Sequence, residues 1–148
     1  MKSYLRVRCS KEYLATIRDF VRDRLDEMKI EDVASHQIVL AVDECCANCM
    51  IHQHQCDGYS TLEITVYRQG DKVYTEVRDN MPAFPLDSYQ PREIDQIVKD
   101  RAKGGLGINL IRKIMDEVKV EEQKGYYAYV LIKKIEPEGP SQTALAAG

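Results

Sequence analysis

The stretch TLEITVYRQGDKVYTEVRD, residues 61–79, decides the fold. Leu62, Ile64 and Val66 alternate with polar neighbours, Gln69-Gly70-Asp71 turns the chain, and Val73, Thr75 and Val77 resume the alternation. A period of two on both sides of a glycine-containing turn describes a β-hairpin with one buried face. Upstream, SYLRVRC (3–9) carries the same period and predicts another strand. Ser10 is placed to cap a helix over 11–28, where Leu14, Ile17, Val21, Leu25 and Met28 recur at spacings of three and four. A second helix is expected from about Val33 to His54, before the Asp57-Gly58 turn signal. Downstream, INLIRKIMDEV (108–118) reads as a helix with Ile108, Ile111, Ile114 and Met115 on its apolar side. VKVEEQ and YYAYVLIKKI then read as a hairpin around Lys124-Gly125. Between the two hairpins, residues 80–104 hold Pro82, Pro85 and Pro91 and form a long loop with a short helix through REIDQIVKD. Loops of that length inside a compact domain are usually functional or disordered. The order β-α-α-β-β-loop-α-β-β predicts an α+β, two-layer α/β sandwich: a mixed, mostly antiparallel sheet covered by helices on one face. The domain is expected over 1–135, with 136–148 a disordered tail.

At 148 residues the chain is one domain long. Its net charge of −3, without a basic stripe, gives no footprint for nucleic acid. No apolar run approaches the ~20 residues of a membrane span, and no signal peptide is visible, so a cytoplasmic protein with no membrane partner is expected. Five cysteines, four of them within one segment, do not form a secreted disulfide framework.

That segment, VDECCANCMIHQHQC (42–56), invites a metal. Cys45, Cys49, His52 and Cys56 share one helical face. Eleven residues of helix nevertheless separate the first from the last by roughly 16 Å, at about 1.5 Å per residue. Zinc ligands lie only ~2.0–2.3 Å from the metal, so one straight helix supplies two of them and not four. The cysteines are better read, with Ile38, Ala41 and Val42, as the buried stripe of a helix.

Glu44 and Asn48 lie one turn apart on that helix. An amide oxygen suits Mg²⁺, and a carboxylate can orient or deprotonate a hydroxyl. Asp79 ends a strand at the mouth of the long loop, where a base can be hydrogen-bonded, or where a turn simply needs an aspartate. Gly104-Gly105-Leu106-Gly107 opens a helix, either as a hinge or as a turn whose amides approach phosphate.

In this order and spacing, VDECCANCMIH, VRDNMPAF and GGLGINLIRKIMDEV resemble the nucleotide-binding boxes of the histidine-kinase-like (GHKL) ATPase superfamily. The likeness is nearest to bacterial anti-sigma factor serine/threonine kinases and runs from about Leu5 to Lys134. It implies a Bergerat-type fold binding ATP and Mg²⁺. Glu44 would be the catalytic base or hydroxyl-orienting residue, Asn48 the Mg²⁺ ligand, and Asp79 the acceptor for the adenine amino group. Met81 would lie beside the base, and Gly104, Gly105, Leu106, Gly107 and Ile108 would line the phosphates under an 80–104 lid. The implied partners are a sigma factor and a STAS-type anti-sigma-factor antagonist phosphorylated on serine, with the kinase a homodimer. Met81 and Ala83 stand where the family's middle box has glycine. The alternatives are a catalytically weak or inactive module of the same fold that captures a regulator stoichiometrically, and a thiol- or metal-responsive sensor.

Overall fold

The computed structural model describes residues 3–50, 61–79, 105–123 and 126–135. Five strands form one sheet: β1 (Ser3–Arg8), β2 (Thr61–Gln69), β3 (Lys72–Asp79), β4 (Glu117–Gln123) and β5 (Tyr126–Lys134), in the order β1-β2-β3-β5-β4. Every ladder is antiparallel. The helices are α1 (Leu14–Glu27), α2 (Asp32–Asn48) and α3 (Gly105–Ile114).

The hairpin that decided the fold forms, with Gln69 ending the strand instead of entering the turn, so that a two-residue Gly70-Asp71 loop sets Gln69 opposite Lys72 and Leu62 opposite Asp79. Gly70 takes a φ of 61°, which glycine adopts without a steric penalty and which matches the twist of a two-residue hairpin loop. Leu62, Ile64, Val66, Val73 and Val77 are buried with Tyr129 and Leu131 of β5 on one face of the sheet. The helices complete that core with Ile17, Val21, Leu25, Ile38, Ala41, Val42 and Ile111.

Four helix boundaries differ from the sequence expectation. Ser10 makes no side-chain cap; its carbonyl instead accepts from Tyr13 N–H at 3.0 Å, and a short 3₁₀ turn over Lys11–Tyr13 precedes α1. Helix α2 starts at Asp32, with the Glu31 carboxylate accepting from Ala34 N–H at 2.8 Å. Between α1 and α2, Lys29 sits at φ 58°, Lys29 N–H donates to Asp26 C=O, and Ile30 N–H donates to Leu25 C=O. This is a Schellman closure with lysine where glycine is favoured. Helix α3 begins earlier than expected, inside the glycine run, and ends at Ile114 rather than Val118. Asp116 stops it: its N–H donates to Ile132 C=O at 2.9 Å and its carboxylate accepts from Lys134 N–H at 2.6 Å, which commits the following residues to β4.

The end of the second helix near His54, the Asp57-Gly58 turn, the loop and short helix of 80–104, the Lys124-Gly125 turn and the tail 136–148 lie outside the described residues.

Candidate functional site

The connections decide which end of the sheet carries chemistry. Asp79 is the last residue of β3, opposite Leu62 of β2 and Tyr127 at the start of β5. The Gly70 turn and the end of β5 lie at the other end, where Ile135 N–H donates to Asp71 C=O. There Lys133 Nζ donates to the Ile114 carbonyl at 2.7 Å, so α3 ends at the turn end and begins toward Asp79. Helix α2 runs the opposite way. Its first residues border Asp71 and Lys133, and its last turn approaches Asp79, whose charge acts on Cys46 and Cys49. The last turn of α2, the first turn of α3 and Asp79 therefore share one end of the sheet.

Asn48 is 2 % exposed. Its Nδ2 donates to the Glu44 carbonyl one turn back at 2.8 Å, which fixes the amide plane. Its Oδ1 is buried without a hydrogen-bond partner among the described residues. A buried amide oxygen in that state costs roughly 1–3 kcal/mol, which a cation would recover. A neutral oxygen donor of this kind fits a hard divalent ion that takes its other ligands from water and phosphate.

Glu44 is half-buried on the same helix. Burial, and then the neighbouring Asp43 carboxylate, push its carboxyl above the usual range. Both effects disfavour the anion, the direction that makes a carboxylate a better proton acceptor at neutral pH. Asp43 is held by Arg18 of α1 at 2.9 Å. Sequence reasoning gave Arg18 and Asp43 no role. The acid immediately before Glu44 was the available signal, but nothing local marks Arg18 as its partner.

Asp79 is 1 % exposed. A carboxylate buried there suits an N–H donor on a planar base, since an ionised carboxylate only accepts hydrogen bonds. Gly105, Leu106, Gly107 and Ile108 form the first turn of α3, instead of a turn ahead of it. First-turn amides have no intrahelical acceptor and carry the positive end of the helix dipole, a combination that binds phosphate. Met81 and Gly104 lie outside the described residues.

Cys45, Cys46 and Cys49 are fully buried free thiols, and Cys9 is buried beside them in the same core. Burial first, then the adjacent Cys45 thiol, push Cys46 and Cys49 well above the usual thiol range. Such thiols hold no thiolate at pH 7 and behave as small apolar residues. Among the described residues no three His, Cys, Asp or Glu side chains are grouped to hold a metal ion.

The model of the histidine kinase-like ATPase domain matches residues 7–132. This chain belongs to that family. Among curated relatives, the serine-protein kinase RsbW of Bacillus subtilis is 26 % identical over 125 residues, covering 82 % of this chain and 78 % of that protein. RsbW of Listeria monocytogenes (serotype 4a) is 30 % identical over 118 residues, covering 73 % and 74 %. RsbW of Halalkalibacterium halodurans is 30 % identical over 92 residues, covering 60 % of this chain and 56 % of that protein. Two solved structures share the fold. The RsbU and RsbW domains of a Mycobacterium tuberculosis protein superpose with a TM-score of 0.65 at 15 % identity, over 94 % of this chain and 34 % of that one. The SiaB-SiaC complex of Pseudomonas aeruginosa gives 0.56 at 16 % identity, over 90 % and 89 %. The α+β sandwich expected from the sequence is the family's fold. Among the described residues no helix is long and apolar enough to cross a membrane.

Proposed function

We propose that this chain is an ATP-dependent serine kinase of the anti-sigma factor type, acting in the cytoplasm by partner switching. Its substrate is a serine hydroxyl on a STAS-type antagonist, and its second partner is a sigma factor. It works as a homodimer. The observation that carries the reading is the Asn48 amide: tied to its own helix through nitrogen, it holds a buried oxygen without a hydrogen-bond partner among the described residues, at the same end of the sheet as Asp79.

Asn48 would hold Mg²⁺, which supplies electrostatic stabilisation of the phosphate charge when bound. Asp79 accepts the amino group of adenine and so selects the nucleotide. The amides of Gly105, Leu106, Gly107 and Ile108 hold phosphate oxygens. Glu44 orients the acceptor serine and takes its proton as the serine oxygen bonds to the γ-phosphorus and the bond to ADP breaks. Positioning and charge supply most of the acceleration in such transfers.

The test is calorimetric titration with Mg-ATP, followed by incubation with labelled ATP and a purified STAS-domain antagonist from the same organism. Submicromolar to micromolar binding and label on the antagonist serine support the kinase. Binding of the antagonist without label would leave the stoichiometric regulator as the function.

A further inference from the structure

Helix α1 carries three arginines. Arg22 and Arg24 pair with Asp19 and Glu27 of the same helix. Arg18 instead crosses to α2, where its Nη1 donates to Asp43 Oδ1 at 2.9 Å, and both side chains are partly buried. An ion pair of this exposure adds little to stability. Its position is the informative part: it grips α2 one residue before Glu44.

Successive residues of a helix point about 100° apart, so Asp43 faces α1 while Glu44 looks out beside it. Beneath the two, α2 buries Ala41, Val42, Cys45, Cys46 and Cys49, and the bulky Ile38 and Met50 lie more than a turn from Glu44 on either side. Small side chains make shallow ridges, and they hold a helix against rotation about its own axis less tightly than Leu or Ile do. Helix α1 is the firmer reference, with Ile17, Val21 and Leu25 fully buried. A side-chain tip lies about 5–6 Å from the helix axis, so turning α2 by ~10° moves the Glu44 carboxylate by ~1 Å. The same turn carries Asn48, whose Nδ2 is bonded to the Glu44 carbonyl. Misplacement by about 1 Å is enough to cost 100-fold in a reaction that depends on alignment.

We propose that Arg18 and Asp43 are positioning residues: their ion pair fixes the rotation of α2 against α1 and so aims the Glu44 carboxylate at the acceptor hydroxyl. This rests on the kinase reading above. It gives α1, which holds no group proposed to touch nucleotide or substrate, a part in the transfer.

The test is a double-mutant cycle on phosphoryl transfer from labelled Mg-ATP to a purified STAS-domain antagonist from the same organism, with Arg18→Gln, Asp43→Asn and the double variant. Each single variant should lower kcat roughly tenfold, the size of a sub-ångström misplacement. The KM for the antagonist and the Kd for Mg-ATP should stay within about twofold of the natural chain, and melting temperatures within about 4 °C. The double variant should be no slower than the slower single, because both act through one contact. Arg18→Lys should recover most of the lost rate, since one guanidinium nitrogen makes the bond. Losses that multiply in the double variant, or that fall on Mg-ATP binding or on melting instead of kcat, overturn the proposal. An active natural chain whose variants keep its kcat overturns the positioning pair alone. A natural chain that binds the antagonist and transfers no label overturns the kinase reading and the positioning pair with it.

Discussion

Asn48→Ala separates an amide kept for a ligand from an amide kept for the fold. The substitution removes one hydrogen bond to the Glu44 carbonyl, a net loss of about 0.5–1.5 kcal/mol. It also leaves a small void costing on the order of 1 kcal/mol. Against this, it deletes a buried oxygen without a hydrogen-bond partner among the described residues, worth ~1–3 kcal/mol, and replaces Asn with a better helix former, worth roughly 0.5 kcal/mol. The Glu44 carbonyl keeps its helical N–H partner, so no new orphan is created. Taken at mid-range the terms sum to about 0.5 kcal/mol in favour of the variant, or a rise in melting temperature of ~1–2 °C for a domain of this size. The natural chain gains about 2.7 kcal/mol when Mg-ATP is present at a hundred times its dissociation constant. Differential scanning calorimetry with and without Mg-ATP reads both effects. Asn48→Ala should melt at or above the natural chain alone and show no Mg-ATP shift. A variant that loses more than about 2 kcal/mol without nucleotide makes Asn48 a structural residue, since removing a working buried hydrogen bond has that size. A variant that keeps the full shift removes it from the metal site.

Four further outcomes follow from the structure. Glu44→Gln should retain Mg-ATP binding and lose on the order of 100-fold or more in transfer to the antagonist, the range for a positioned acid or base; unchanged single-turnover rates would end its assignment. The same variant should be slightly more stable than the natural chain at neutral pH, because burial and Asp43 hold the Glu44 carboxyl above its unfolded value and so penalise the folded anion. That advantage should shrink as pH falls through the raised value and vanish below the ordinary carboxylate value of about 4.3, as thermal melts across pH 3–8 would show. Lys29→Gly relieves a left-handed residue in the α1–α2 closure and should raise stability by about 0.5–1 kcal/mol by urea denaturation; a loss would mean that the lysine side chain makes an uncounted contribution. Cys45, Cys46 and Cys49 should resist a thiol reagent at pH 8 until the protein unfolds, read by mass spectrometry of the labelled peptides. Rapid labelling in the folded protein would contradict their place in the core.

The sheet was legible because its β2–β3 hairpin alternates and carries its turn in sequence. The core stripe of α2 was legible for the same reason, Ile38, Ala41, Val42, Cys45 and Cys49 repeating at helical spacing. Boundaries were harder where tertiary contacts outbid local signals. Ser10 has cap chemistry, but its carbonyl serves a 3₁₀ turn. The helical period of INLIRKIMDEV continues past Ile114, yet Asp116 bonds to β5 and ends the helix. At the site, Glu44, Asn48 and Asp79 were visible as residue types at suggestive spacings. That they share an end of the sheet was not, because it depends on how α2 and α3 run against the strands. The Arg18–Asp43 pair joins residues 25 apart in the chain, so no local spacing reveals it.

The anchoring of α3 has a mechanical consequence. Its C-terminal carbonyl is held by Lys133, while its opposite end carries the amides proposed to hold phosphate. Ten residues at ~1.5 Å each make a lever of about 15 Å. A tilt of only about 5° around the anchor swings the phosphate end by ~1.3 Å, and misplacement by about 1 Å is enough to cost 100-fold in a reaction that depends on alignment. The accuracy of the working end thus depends on the quiet end of the molecule, where Lys133 grips the Ile114 carbonyl and Asp116 is bonded to β5.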